Sequence, residues 1–150
     1  MSSVYVRDQI EQFINDNLGS ENLVDVTAEF DDLQELLGDY GLDYQSKWLG
    51  IQYIGSDELP ISLVANNSSG KYRETGAIFL HIVEPARNAA KDDILTRSEV
   101  IRNTFRGQRI NDIVVEGVTP INFESAATLQ FEDGFTSASV VVNYYYDRSL

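Results

Sequence analysis

A chain of 150 residues with 43% hydrophobic and 11% aromatic content is long enough to bury a real core and too apolar to remain disordered. Its 24 acidic residues outweigh 11 basic ones, and a formal charge of −13 repels phosphate backbones and anionic bilayers. The absence of cysteine excludes disulfides and thiolate metal sites.

The opening residues, MSSVYVRDQIEQF, lack the apolar run of a signal peptide, and no later stretch has the length and apolarity of a membrane span. The expectation is a protein made and used without export, in the cytoplasm. A surface of this charge suits a protein partner, a small ligand or a solubility role.

Residues 3–18 predict a first helix, with Val6, Ile10, Phe13 and Ile14 on one side and Gly19 just past its end. Residues 23–28 alternate briefly and predict a short strand. Residues 29–45 are strongly acidic and contain Gly38 and Gly41, which predicts a long loop with a short helical piece around Leu33, Leu36 and Leu37. Residues 47–54 predict a strand with Leu49, Ile51 and Tyr53 on one face and Trp48, Gln52 and Ile54 on the other. A turn is expected at 55–60, then a second apolar run at 61–65. The polar stretch 66–76, NNSSGKYRETG, reads as an exposed loop or hairpin tip. Residues 77–83, AIFLHIV, are apolar on both faces and predict a central strand ended by Pro85.

The stretch 88–107 is the strongest helical signal. Ala90, Ile94, Ile101 and Phe105 recur at three- and four-residue steps, with Asn88 as the expected N-cap and Gly107 as the left-handed stop. Asp92 and Asp93 lie near the positive end of its dipole, and Arg102 and Arg106 near the negative end. Strands are then expected at 110–118, 121–131 and 135–146, with Thr119-Pro120 as a break and Asp133-Gly134 as a hairpin turn. The order predicts one α+β domain spanning 1–150: two helices packed on a mainly antiparallel β-sheet with a C-terminal β-hairpin.

Chemistry is sparse. His81, the one histidine, falls inside the most apolar strand, where a hydrogen-bonded structural role is the expectation. One histidine and no cysteine cannot assemble a usual zinc site within one chain, and no GxSxG elbow is present. The acidic pairs Asp31-Asp32, Asp92-Asp93 and Glu132-Asp133 read as solvated surface, and none matches an EF-hand. The run SSGK at 68–71 lacks the first glycine and the Ser or Thr of a phosphate-binding loop. No catalytic residue, metal ligand or cofactor site is assigned. Six basic residues, Arg87, Lys91, Arg97, Arg102, Arg106 and Arg109, fall in or beside the long helix. They balance charge along and at the end of the helix, or form a basic face that meets an acidic face on another subunit.

From residue 77 to 148 the chain shows a strand ending in VEPA, a helix ending in EVIRNTFRGQ, then IVVEGVTP, a long alternating strand and the aromatic NYYYDR. With the N-terminal RDQIEQFI, this pattern resembles the tail terminator, or tail completion, proteins of long-tailed bacteriophages such as lambda. The resemblance covers most of the chain in element order and length, and the acidic stretch 29–45 lies outside it. It implies a non-enzymatic virion protein of the tail or neck, assembled in the host cytoplasm. Such a subunit forms a homohexameric ring that caps the tail tube, halts its polymerisation and docks the head connector. The implied partners are other copies of itself, the major tail tube protein and the head-completion connector, while DNA passes through the channel without specific binding and no membrane is involved. Charge segregation makes Arg102, Arg106 and Arg109 against Asp31, Asp32 and Glu35 the candidate subunit interface. The polar stretch with Asn66, Asn67, Lys71, Tyr72 and Arg73 is the candidate contact to tube or connector. The alternatives are another neck or head-completion adaptor, a small monomeric binding module, or an enzyme using a carboxylate pair.

Overall fold

The computed structural model describes residues 4–28, 32–60, 71–123 and 134–149, with the backbone alone at 56–60, 71, 148 and 149. It is an α+β fold in which three helices pack on a six-stranded, mostly antiparallel sheet. The elements are α1 (Val4–Asn17), β1 (Leu23–Asp25), α2 (Leu33–Asp39), β2 (Trp48–Pro60), β3 (Lys71–Pro85), α3 (Ala90–Phe105), β4 (Arg109–Ile110), β5 (Ile113–Val118) and β6 (Phe135–Ser149). The strand order is β1-β2-β3-β6-β5-β4, and β1 against β2 is the one parallel pair.

Side-chain alternation along β2, β3 and β6 gives the sheet two apolar faces. On one face Leu49, Ile51, Ile78, Leu80, Ile82, Val140 and Val142 meet Val6, Ile10 and Ile14 of α1 and Ile94, Ile101 and Phe105 of α3. Phe13 adds an edge-on ring contact to Phe105 at 5.1 Å between centroids, which joins the two helices. On the other face Trp48 and Val83 pack with Val24, Val26, Leu33 and Leu37 beneath α2. The two expected faces of β2 are therefore both apolar, and each belongs to a different core. β3 lies between β2 and β6, which is why its 77–83 segment is apolar on both sides.

Several expected boundaries move. The long helix starts at Ala90, and its N-cap is Ala89 without a side-chain hydrogen bond, not Asn88; Asp92 and Asp93 in its first turn face the dipole instead. Its end is as expected: Gly107 takes φ +69. The short helical piece expected in the acidic stretch is α2, seven residues capped by Asp32, whose carboxylate accepts from the Gln34 N–H at 2.9 Å. Gly38 lies in its last turn, and the helix ends one residue later. No turn forms at 55–60, because a bulge between Ile54 and Asp57 absorbs Gly55 and Ser56 and β2 continues to Pro60. Residues 71–76, expected in a loop, belong to β3. The expected strand at 110–118 is a tight hairpin, β4 and β5, turning at Asn111 with φ +53. Asparagine tolerates that left-handed backbone. Of the expected 121–131 strand and Asp133-Gly134 turn, residues 124–133 lie outside the described residues; Asn122 bridges Ser139, and Gly134 has φ +105.

The sheet is much longer than its helices. β3 and β6 pair over 15 residues each, from Lys71↔Ser149 to Pro85↔Phe135, about 50 Å of strand. α3, with 16 residues, spans about 24 Å. α1 reaches as far as Tyr146, whose ring stacks on Tyr5 and which pairs with Glu74, so the paired residues beyond it, 59–60 of β2, 71–73 of β3 and 147–149 of β6, extend past the helices.

At the root of this overhang the Tyr144 ring lies across Gly76. A Cβ built on Gly76 would sit 2.6 Å from the Tyr144 hydroxyl oxygen and 2.8 Å from its Cζ. Tyr144 is fully buried and its hydroxyl donates to Glu74 Oε2 at 3.0 Å, so the ring has nowhere to go. Gly76→Ala is expected to lower stability in urea titration by about 1–3 kcal/mol. Gly117→Ala, where a Cβ meets nothing within 4 Å, serves as the control with little change. Equal midpoints for the two variants would rule out this packing.

Candidate assembly surface

The buried side chains of Arg97, Glu84, His81, Ser139 and Glu74 are occupied by the fold itself. Arg97 sits on the core side of α3, between Ile94 and Ile101, and is 8% exposed. Its guanidinium makes a two-pronged ion pair with Glu21, donates to the carbonyls of Val83 at 2.9 Å and Trp48 at 3.1 Å, and reaches Glu84 Oε1 at 3.4 Å. The planar donor fork of arginine is suited to such divided recognition. One side chain thereby ties α3 to the start of β2, the end of β3 and the turn after α1. Arg97 is thus removed from the basic face expected along the helix. The signal was in its spacing, three residues after Ile94 and four before Ile101. Arg97→Ala is expected to destabilise the fold by about 3–5 kcal/mol in chemical denaturation, because the Glu21 carboxylate remains buried without its cation and Glu84 keeps only Arg87. Arg106→Ala should shift it by less than about 0.5 kcal/mol.

His81 is the structural histidine the sequence predicts. It is 1% exposed on β3, with Nδ1 3.0 Å from Ser139 Oγ and Nε2 3.0 Å from Gln52 Oε1. Gln52 Oε1 can only accept, so Nε2 carries the proton and Nδ1 accepts from the serine hydroxyl. The serine thus directs its own proton into the ring from the middle of a central strand, and both groups are closed to substrate. Burial pushes the imidazole pKa down from 6.5 to about 4. Between those values the unfolded chain binds a proton that the native state refuses. Stability therefore falls as pH drops from about 6.5 toward 4, by at most about 1.4 kcal/mol per pH unit, and is unaffected by this group above that window. Stability measured between pH 6.5 and 5.5 should decline more steeply in the wild type than in a His81→Gln variant; parallel curves would contradict the assignment.

Other polar contacts stitch α1 to the sheet. Arg7 pairs with Asp25 at 3.1 Å and lies 4.6 Å above the Tyr53 ring, and the Tyr53 hydroxyl reaches the Arg7 carbonyl at 3.3 Å. Among the described residues, no group of three or more His, Cys, Asp or Glu is placed to hold a metal ion. No helix among the described residues is long and apolar enough to cross a membrane.

The remaining features are surfaces. Arg87 pairs with Glu84 and Asp93, which supports the charge-balancing reading for the start of α3. At its end the pattern differs. Arg102 is half-buried with its Nε shielded and without an acceptor among the described residues. Arg106 is the exposed C-cap, and Arg109 opens β4 with its Nε on the Asn111 carbonyl at 3.2 Å. None of the three has a carboxylate partner among the described residues. Asp32 and Glu35 are exposed on α2, while Asp31 lies outside the described residues. The structure does not bring the two sets together within one copy. α2 covers β1 and β2 on one face of the sheet, whereas α3 packs on the other face and leads into β4 at the opposite edge.

Of the expected contact loop, Asn66 and Asn67 lie outside the described residues. Lys71, Tyr72 and Arg73 are not in a loop; they begin β3, facing Ser149, Arg148 and Asp147 of β6. The Arg73 guanidinium binds Asp147 through two bonds of 2.7 and 3.0 Å and lies 4.1 Å over the Tyr145 ring. Nearby, an open groove of 560 Å³ crosses four strands, with Gly55, Ala77 and Gly117 leaving the space and Thr75, Glu116 and Asn143 supplying polar groups.

No protein-family model matches this chain, and no curated protein does. Seventeen chains of solved structures match. One of them aligns over 93% of this chain and 94% of its own, with a TM-score of 0.46 and 13% identity. Likeness at that level carries no argument about function.

Proposed function

We propose that this chain is a ring-forming tail terminator of a long-tailed bacteriophage. In this reading its copies cap the finished tail tube, stop its polymerisation and present the docking surface for the head connector. The observation that carries the reading is the sheet overhang: the paired strand ends 59–60, 71–73 and 147–149 extend past Tyr146, the last residue of β6 that stacks on α1. A subunit that must reach a tube or connector has a use for such strand ends. Arg97, Glu21, Glu84, His81 and Ser139 are engaged by internal contacts, which suits a structural subunit. A net charge of −13 suits a channel through which DNA slides without sticking. The strand ends and the segment between β2 and β3 are then the contacts to tube or connector.

Co-expression with the tail tube protein of the same genome tests the reading through tube lengths in negative-stain electron microscopy. A terminator gives tubes of bounded length with a ring at one end. Unbounded tubes without rings would reject it, and binding to head-side components with tube lengths unchanged would favour a different neck adaptor.

A further inference from the structure

Of the nine Lys and Arg side chains described, four, Arg7, Arg73, Arg87 and Arg97, have a carboxylate partner. Those at the C-terminal end of α3 do not, and their placement on the helix is regular. Leu95, Arg102 and Arg106 follow at steps of seven and four, which puts them along one line of an α-helix. Leu95 is 43% exposed, an uncovered apolar side chain at the head of that line, and Arg109 continues it at the start of β4. Asp92 and Glu99, three residues before and four after Leu95, are exposed beside the stripe.

The second feature has the opposite chemistry. Asp32, Glu35 and Asp39 follow at steps of three and four along α2, all exposed and all without a cationic partner among the described residues. Tyr40, 45% exposed, follows Asp39 as the helix C-cap, its hydroxyl accepting from the Asp25 N–H at 3.2 Å so that the ring is held in place. The two stripes are on opposite faces of the sheet and toward its opposite edges, so one copy cannot join them to each other. Two copies can.

We propose that the α3 stripe of one copy seats on α2 of the next, with Leu95 against the Tyr40 ring and Arg102, Arg106 and Arg109 facing Asp32, Glu35 and Asp39. The occupant is a second copy of this chain because the complementary charges are both present in one sequence, on surfaces that face apart. Such a contact joins unlike patches and is head-to-tail, so it closes into a ring or runs on as a filament. The inference deepens the terminator reading and rests on it for ring closure, but the contact itself is tested separately. Rim charges of this kind are screened by salt and set association more than fold.

The test uses the full chain in sedimentation velocity and native mass spectrometry. The wild type is expected to associate with increasing concentration at about 0.05 M salt and to dissociate toward about 0.5 M. Two doubly substituted variants follow, R106E/R109E, acidic on both stripes, and E35K/D39K, basic on both. Each alone should associate at least about tenfold more weakly than the wild type, with unchanged thermal melting because the altered side chains are exposed. Mixing the two should restore association, since each supplies the stripe that the other lacks. L95D, which keeps the charges, should also weaken it. Wild-type association by R106E/R109E, failure of the mixture to recover, or a wild type that stays monomeric at every concentration and salt would each overturn the proposal. A wild type that associates as described yet leaves tube lengths unbounded would leave this contact standing and sink the terminator reading.

Discussion

The β3–β6 ladder is the constraint on which the rest of this structure depends. Its 15 registered pairs fix which side chains of both strands face α1 and α3 and which face α2, since a slip of one residue would exchange the two sets. The register also brings Tyr144 over Gly76, Ser139 beside His81 and Asp147 opposite Arg73. A core contact, a buried hydrogen bond and a surface ion pair thus follow from one alignment. The ladder runs between elements more than fifty residues apart, so its formation is a non-local event and sets the slow step expected of such topology.

Within that frame, the polar residues divide by location. Those near the helix–sheet boundary are turned inward, where Arg97 and His81 answer buried carbonyls, carboxylates and hydroxyls. Those on α2 and at the end of α3 are turned outward and left unmatched among the described residues. A buried polar group must be satisfied locally because its desolvation cost is immediate, whereas a surface charge can wait for a partner at almost no cost. Function in this molecule is therefore sought on its outside.

Much of this was legible in the sequence. The helical repeats of α1 and α3, the two-sided apolarity of 77–83 and the stop at Gly107 are local patterns with local causes, and they placed the main elements. The α+β class followed from their order. What escaped were features decided by distant partners. Residues 71–76 look like loop because they are polar, yet pairing to β2 and β6 on both sides makes them strand. Gly55 reads as a turn, but the neighbouring ladder turns it into a bulge. Arg97 was counted by its charge when its spacing already assigned it to the core. For the candidate interface, the sequence revealed both charged clusters but not their separation on opposite faces, which only the strand order supplies.

The sheet also separates two cores of unequal size. Twenty buried residues form the larger one beneath α1 and α3, and six form the smaller one beneath α2. β1 adds only three pairs to β2 beside it. Opening free energy follows buried apolar contact, so α2 and β1 form the unit that opens first in native-state hydrogen exchange, while the larger core stays closed. A neighbour that grips α2 would slow that opening and add its binding free energy to the stability of this unit.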